Sequence, residues 1–195
     1  MSANGSILAA VAAVCWIELG LDSILRPQQI DYRDALWIVP FALTAASFLC
    51  MQRAQPRAGR LGFYSVMAAS ALTFAGNVGM LTDQPALAKL GFPWGAAVWT
   101  IGLILFGIAT LKAGVFPRYV GIAIILLEPG SILTGLALSP IAPLHDRGAY
   151  SAGVEKGLVM ALVSCGFLAL RGQTVNRAES PANRECVADA RGHSR

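Results

Sequence analysis

Charged residues vanish from long stretches of this chain, and those stretches share one length. No Asp, Glu, Lys or Arg occurs between Arg60 and Asp83, or between Lys89 and Lys112. At 1.5 Å rise per residue, an uncharged helical run of about 20 residues matches a hydrocarbon core roughly 30 Å thick. The same reading along the whole chain gives six runs, at 7–25, 35–51, 61–81, 92–111, 120–138 and 153–170. It predicts an all-α integral membrane protein, a six-transmembrane-helix bundle over residues 1–171. The second run is near the lower limit for spanning, and the first is weakened by two carboxylates.

The links between runs carry turn chemistry: Arg26-Pro27, Gln55-Pro56 with Gly59, Gln84-Pro85, Phe116-Pro117, and Pro140 with Pro143. Proline suits these places because its missing N–H would be unpaired there anyway. Trp37, Trp94, Tyr32, Tyr119 and Tyr150 fall close to span ends, as aromatic residues do at the headgroup level. Residues 172–195 are polar, alternate in charge and contain too little apolar surface to form a core, so a disordered cytoplasmic tail is expected.

Composition agrees with a membrane rather than a soluble domain. The chain is 55% hydrophobic and only 13% charged, against about a quarter charged in soluble domains. The net charge of +4 could suggest nucleic acid, but five of the fifteen basic residues lie in the last 25 positions, at Arg171, Arg177, Arg184, Arg191 and Arg195, and others flank apolar runs. They read as cytoplasmic anchors, so no nucleic-acid partner is expected. Arg53, Arg57, Arg60, Lys112, Arg118 and those five C-terminal arginines give ten on one side, against five at Arg26, Arg33, Lys89, Arg147 and Lys156. Ten against five gives the expectation that both termini face the cytoplasm, in a cell membrane, and a bacterial inner membrane is the expected setting. The four cysteines and two histidines have no metal-ligand spacing, and neither metal nor cofactor is expected.

The chemistry that remains is a set of ionisable and polar residues inside the spans. Counting from the cytoplasmic boundary, Glu128 lies about 12 Å deep, Glu18 about 16 Å, Asp22 about 22 Å and Asn77 about 24 Å. A carboxylate at such depth costs several kcal/mol unless it faces the bundle interior or water. Glu18 and Asp22 are one turn apart, on a stripe that includes Val11 and Cys15, and this face is expected to point inward. The blander alternative pairs them with Lys156 or lets them reach the outer surface. Glu128-Pro129-Gly130 predicts a kinked or unwound fifth span, with the Ile125 carbonyl stripped of its helical partner; here the alternative is a packing kink with Glu128 bonded to Ser131, Thr134 or water. Small-residue ladders at Ala71, Ala75 and Gly79 and at Gly153, Gly157, Ala161 and Cys165 fit close helix contacts, with Asn77 as interhelical glue. Trp16 and Trp99 are core residues or the lining of a pocket.

The candidate cavity therefore comprises Glu18, Asp22, Asn77, Glu128, Ser131, Trp16 and Trp99. Glu18 and Glu128 are expected to share it, with Asp22 and Asn77 nearer an outer mouth. Three readings follow. The first is binding or transport of a small molecule, a cation or a proton. Length, span number and inside termini resemble the substrate-binding components of energy-coupling-factor vitamin transporters, and Ala9 and Ala13 have the spacing those proteins use to dock a partner subunit. That resemblance, which covers topology only, implies partner membrane subunits; a homo-oligomer is the other option. The second reading is an acid–base enzyme on a lipophilic substrate, resembling membrane-bound terpene cyclases, with Glu18, Glu128 and Asp22 as catalytic candidates. The third is an accessory membrane protein without ligand chemistry, similar to many small bacterial multi-pass proteins. No GxSxG, HExxH, Walker or GxGxxG motif occurs.

Overall fold

A computed structural model describes residues 2–26, 35–57, 59–138 and 148–179. These residues are helical, with no strand among them. The helices are α1 (Ser2–Leu25), α2 (Ile38–Ala54), α3 (Arg60–Leu81), α4 (Pro85–Lys89), a π-helical stretch (Leu90–Gly95), α5 (Ala96–Ala113), α6 (Arg118–Leu138) and α7 (Gly148–Glu179). Five are long and apolar enough to cross a membrane, and α2 is a shorter apolar helix. The protein is an all-α membrane bundle. The last helix continues past the apolar run to Glu179; the rest of the expected tail lies outside the described residues, as do Tyr32, Arg33, Pro140, Pro143 and Arg147.

The six long helices close a ring in chain order: α1 packs on α2, α2 on α3, α3 on α5, α5 on α6, α6 on α7, and α7 back on α1. The connections make neighbours antiparallel, so the start of α1 meets the far end of α7. There Ser6 Oγ lies 3.0 Å from Ser164 Oγ, and Ser164 Oγ donates to the Ser6 carbonyl at 3.0 Å.

On the first helix, small side chains more than polar ones mark the inward face. On α1, Ala9, Ala12, Ala13, Trp16, Gly20 and Ser23 are buried, while Ile7, Val11, Val14, Leu21 and Leu25 are exposed. In lipid nothing is gained by hiding Leu or Val, whereas small residues let backbones approach and collect dispersion contacts. α1 meets α7 closely at Gly20 against Gly153, where a Cβ on Gly153 would stand 2.8 Å from the Gly20 Cα. The Ala9 and Ala13 face is consumed in this way, inside the bundle against α7, and is not free to dock a partner. On α3 the buried small residues Gly76 and Gly79 receive Gly91 and Ala88 of the neighbouring helical segment. Ala71 of the expected ladder is exposed instead.

Two helix ends follow from local chemistry. Gly114 adopts φ +63 after α5 and its N–H reaches the Thr110 carbonyl, the left-handed stop that glycine permits. Pro129, by contrast, does not stop α6, which runs unbroken from Arg118 to Leu138. The expected unwinding is absent. Proline still removes one N–H, but membrane helices tolerate that when neighbours hold the segment, and here Gly107 and Gly121 bring α5 and α6 together one to two turns earlier.

Candidate functional site

α7 carries a buried stripe at Met160, Val163 and Phe167, and Lys156 stands at its head, one turn before Met160. On α6 the buried positions Val120, Ile124, Leu127 and Ser131 bracket Glu128 in the same way. Because α6 and α7 pack side by side, these two registers bring the charges together. Lys156 Nζ lies 2.8 Å from Glu128 Oε2, with the side chains only 12% and 11% exposed. Glu128 is ten residues from each end of α6 and Lys156 eight residues into α7. The pair thus sits roughly 12–15 Å from the helix ends, deep in the bundle.

Aromatic rings from two other helices, α1 and α2, flank the ammonium. It lies 5.2 Å from the Trp16 ring and 6.0 Å from the Phe41 ring, within reach of the negative faces of their π systems. Trp16 is held by an edge contact with Phe41 at 4.8 Å, a tilted contact with Trp37 at 5.5 Å, and donation from its Nε1 to Thr44 Oγ1 at 3.1 Å. Phe41 in turn meets Trp99 edge-on at 5.3 Å.

This charged and aromatic cluster forms one wall of a cavity of about 220 Å³. Thr73, Asn77 and Met80 of α3 make the opposite wall, with Ala88 and Gly91 closing it. Two wall residues carry buried N–H groups with no hydrogen-bond partner, Asn77 Nδ2 and Trp99 Nε1. Glu155, beside Lys156 in sequence, reaches toward the backbone of Gly130 and leaves its Oε2 buried without a partner. An orphaned polar atom away from water normally costs about 1–3 kcal/mol, so an accumulation of them beside an ion pair marks a place built for more than packing.

The structure separates residues that the sequence reading grouped. Glu128, Asn77 and Trp99 line this cavity, and Trp16 stands behind its lysine. Glu18 does not share it. The stripe Ile7, Val11, Val14, Glu18, Leu21 is the outward face of α1, because the small-residue face took the inside. Glu18 and Asp22 instead line an open groove between α1 and α2 with Cys15, Leu19, Leu36 and Val39. Asp22 pairs with Arg26 one turn on, Nε to Oδ1 at 3.4 Å, and not with Lys156. Ser131 is buried but donates to the backbone carbonyl of Glu128 at 2.8 Å, leaving the carboxylate to the lysine. Asn77 is not interhelical glue through its amide N–H, which bonds to nothing. Lys156 and Phe41 are the site residues that sequence reasoning missed. The i, i+4, i+7 stripe from Lys156 to Val163 was the available signal, and it was obscured by starting the last span at 153, which set the lysine at the bilayer edge.

Among the described residues, no group of three His, Cys, Asp or Glu is placed to hold a metal ion. Comparisons with protein-family models, with curated proteins and with solved structures return no match.

Proposed function

We propose that this protein binds, and in binding transports, a small polar molecule in the cavity between α2, α3, α5, α6 and α7. The Lys156–Glu128 ion pair on the cavity wall carries the reading. A buried ion pair is poor value as a stabiliser, since hydrophobic residues of equal volume do as well or better. Its use lies in being openable: a ligand acceptor group takes the lysine, a ligand cation or a proton takes the carboxylate, and the two Asn77 and Trp99 N–H groups gain partners they lack. The volume of about 220 Å³ lies below the roughly 300–1,000 Å³ of drug-sized sites, which favours a compact ligand such as an amino-acid-sized zwitterion over a lipid chain. The acid–base enzyme reading needed Glu18 beside Glu128 and has lost that support. We further propose that the end carrying Arg53, Arg57, Arg60, Lys112 and Arg118 faces the cytoplasm, with both termini there.

The test is thermal-shift screening of the detergent-solubilised protein with amino acids, small carboxylates and small quaternary amines, repeated on Glu128→Gln/Lys156→Met. The expected result is a ligand that raises the unfolding temperature of the natural chain and not of the double variant. A shift of equal size in both would overturn the site. For orientation, single cysteines at Pro56 and Gln84, in a background lacking the four native ones, should be labelled from inside and outside respectively; the reverse pattern inverts the topology.

A further inference from the structure

The bundle end where α2, α3, α5 and α6 exchange is chemically one-sided. Arg53, Arg57, Arg60, Lys112 and Arg118 gather there, while α2, α3 and α5 contain no Asp or Glu at all. Between the α2–α3 turn and the end of α5 lies a second cavity, about 730 Å³ and open. Arg57 and Lys112 stand on its rim, and Ala109, Ala113 and Val115 supply an apolar wall. Among the described residues neither cation has a carboxylate partner. The floor includes Gln55, 3% exposed, whose Nε2 donates to Thr110 Oγ1 at 2.8 Å while its Oε1 is buried and accepts nothing.

Two cations, one orphaned acceptor and an apolar wall at the membrane interface have a specific complement. We infer that this cavity seats an anionic phospholipid whose headgroup carries a hydroxyl, the phosphatidylglycerol type. The phosphate lies between the Arg57 guanidinium and the Lys112 ammonium, which bind phosphate oxygens as a fork and a point charge. A headgroup hydroxyl donates to Gln55 Oε1, and the acyl chains follow the Ala109, Ala113 and Val115 wall into the bilayer. Basic pockets between transmembrane helices suit such headgroups because each Lys or Arg near the surface adds about 1 kcal/mol of attraction. The site is separate from the ion-pair cavity and stands whether or not that cavity binds a small molecule.

Native mass spectrometry of the full chain, loaded with defined mixtures of phosphatidylglycerol, phosphatidic acid and phosphatidylcholine, reads retention directly. Phosphatidylglycerol should be held most tightly. Arg57→Gln/Lys112→Gln should weaken it roughly twenty- to thirtyfold, two surface cations' worth. Arg60→Gln/Arg118→Gln, with the same charge change outside the cavity, should leave retention within about threefold of the natural chain. Gln55→Leu should abolish the preference for phosphatidylglycerol over phosphatidic acid while keeping both above phosphatidylcholine. An equal loss in the two arginine-containing double variants would make the effect one of general charge and overturn the site. So would phosphatidylcholine held as tightly as phosphatidylglycerol. Displacement of the lipid by free glycerol phosphate at equal concentration would identify a soluble anion as the occupant and overturn the lipid assignment.

Discussion

Glu18 and Glu128 are the same side chain at similar depth in the bundle, and they have opposite surroundings. Glu128 is buried against a lysine whose ammonium lies beside the Trp16 and Phe41 rings. Glu18 lies on the outer face of α1, in an open groove that it shares with Asp22 and Cys15. Their difference shows what organises a bundle in lipid. In water the polar face of a helix turns out, but on α1 a face rich in alanine and glycine turns in, and the carboxylate stays on the other. Ala9, Ala12, Ala13 and Gly20, with Trp16 among them, make the buried face and leave Glu18 outside. On α6 the buried face of Gly121, Ala123, Ile124, Leu127 and Ser131 includes Glu128.

The contrast breaks most sharply at Glu128. Replacing it by Gln leaves Lys156 charged and uncompensated, and stability should fall by about 3–5 kcal/mol, read as a lowered unfolding temperature in detergent; combining it with Lys156→Met should restore most of the loss. If Glu128→Gln is silent, the pair is not the anchor of the interior. Next comes the packing face itself: Gly20→Leu must force α1 from α7 and should cost about 1–3 kcal/mol, whereas Val14→Leu on the outward stripe should be nearly neutral. A smaller loss of about 1–2 kcal/mol is expected for Thr44→Val, which strands the buried Trp16 N–H behind the lysine. Smallest of all is Glu18→Gln, expected to change stability by less than about 0.5 kcal/mol. A loss there as large as at Glu128 would erase the distinction between the two carboxylates.

The positions of the spans were legible in the sequence and their rotation was not. The apolar runs place the membrane-crossing helices to within a few residues, and the polar or aromatic residues inside them include Glu128, Asn77 and Trp99, which line the cavity. The cost of a carboxylate in lipid points the stripe of Val11, Cys15, Glu18 and Asp22 inward. The glycine and alanine positions on the opposite face carry more weight, since α1 and α7 approach through Gly20 and Gly153. Pro129 misled for a related reason: a missing N–H predicts a break only when nothing else holds the helix, and α6 is gripped by α5 and α7 along its length. The approach of Lys156 to the Trp16 ring depends on the first and last helices being neighbours, a property of ring closure that no local pattern encodes.

That closure has a consequence for biogenesis. Translation proceeds from α1 to α7, and the helix that covers the small-residue face of α1 leaves the ribosome after the other described helices. Until it arrives, α6 resides in the bilayer with a carboxylate that has no cation, and α1 offers an unfilled backbone groove along its inner side. Insertion of α7 cures both defects in one event, supplying the lysine to Glu128 and Gly153 to Gly20. A chain truncated before α7 therefore exposes two flaws at once, and membrane quality control could tell a finished molecule from an unfinished one by the arrival of a single helix.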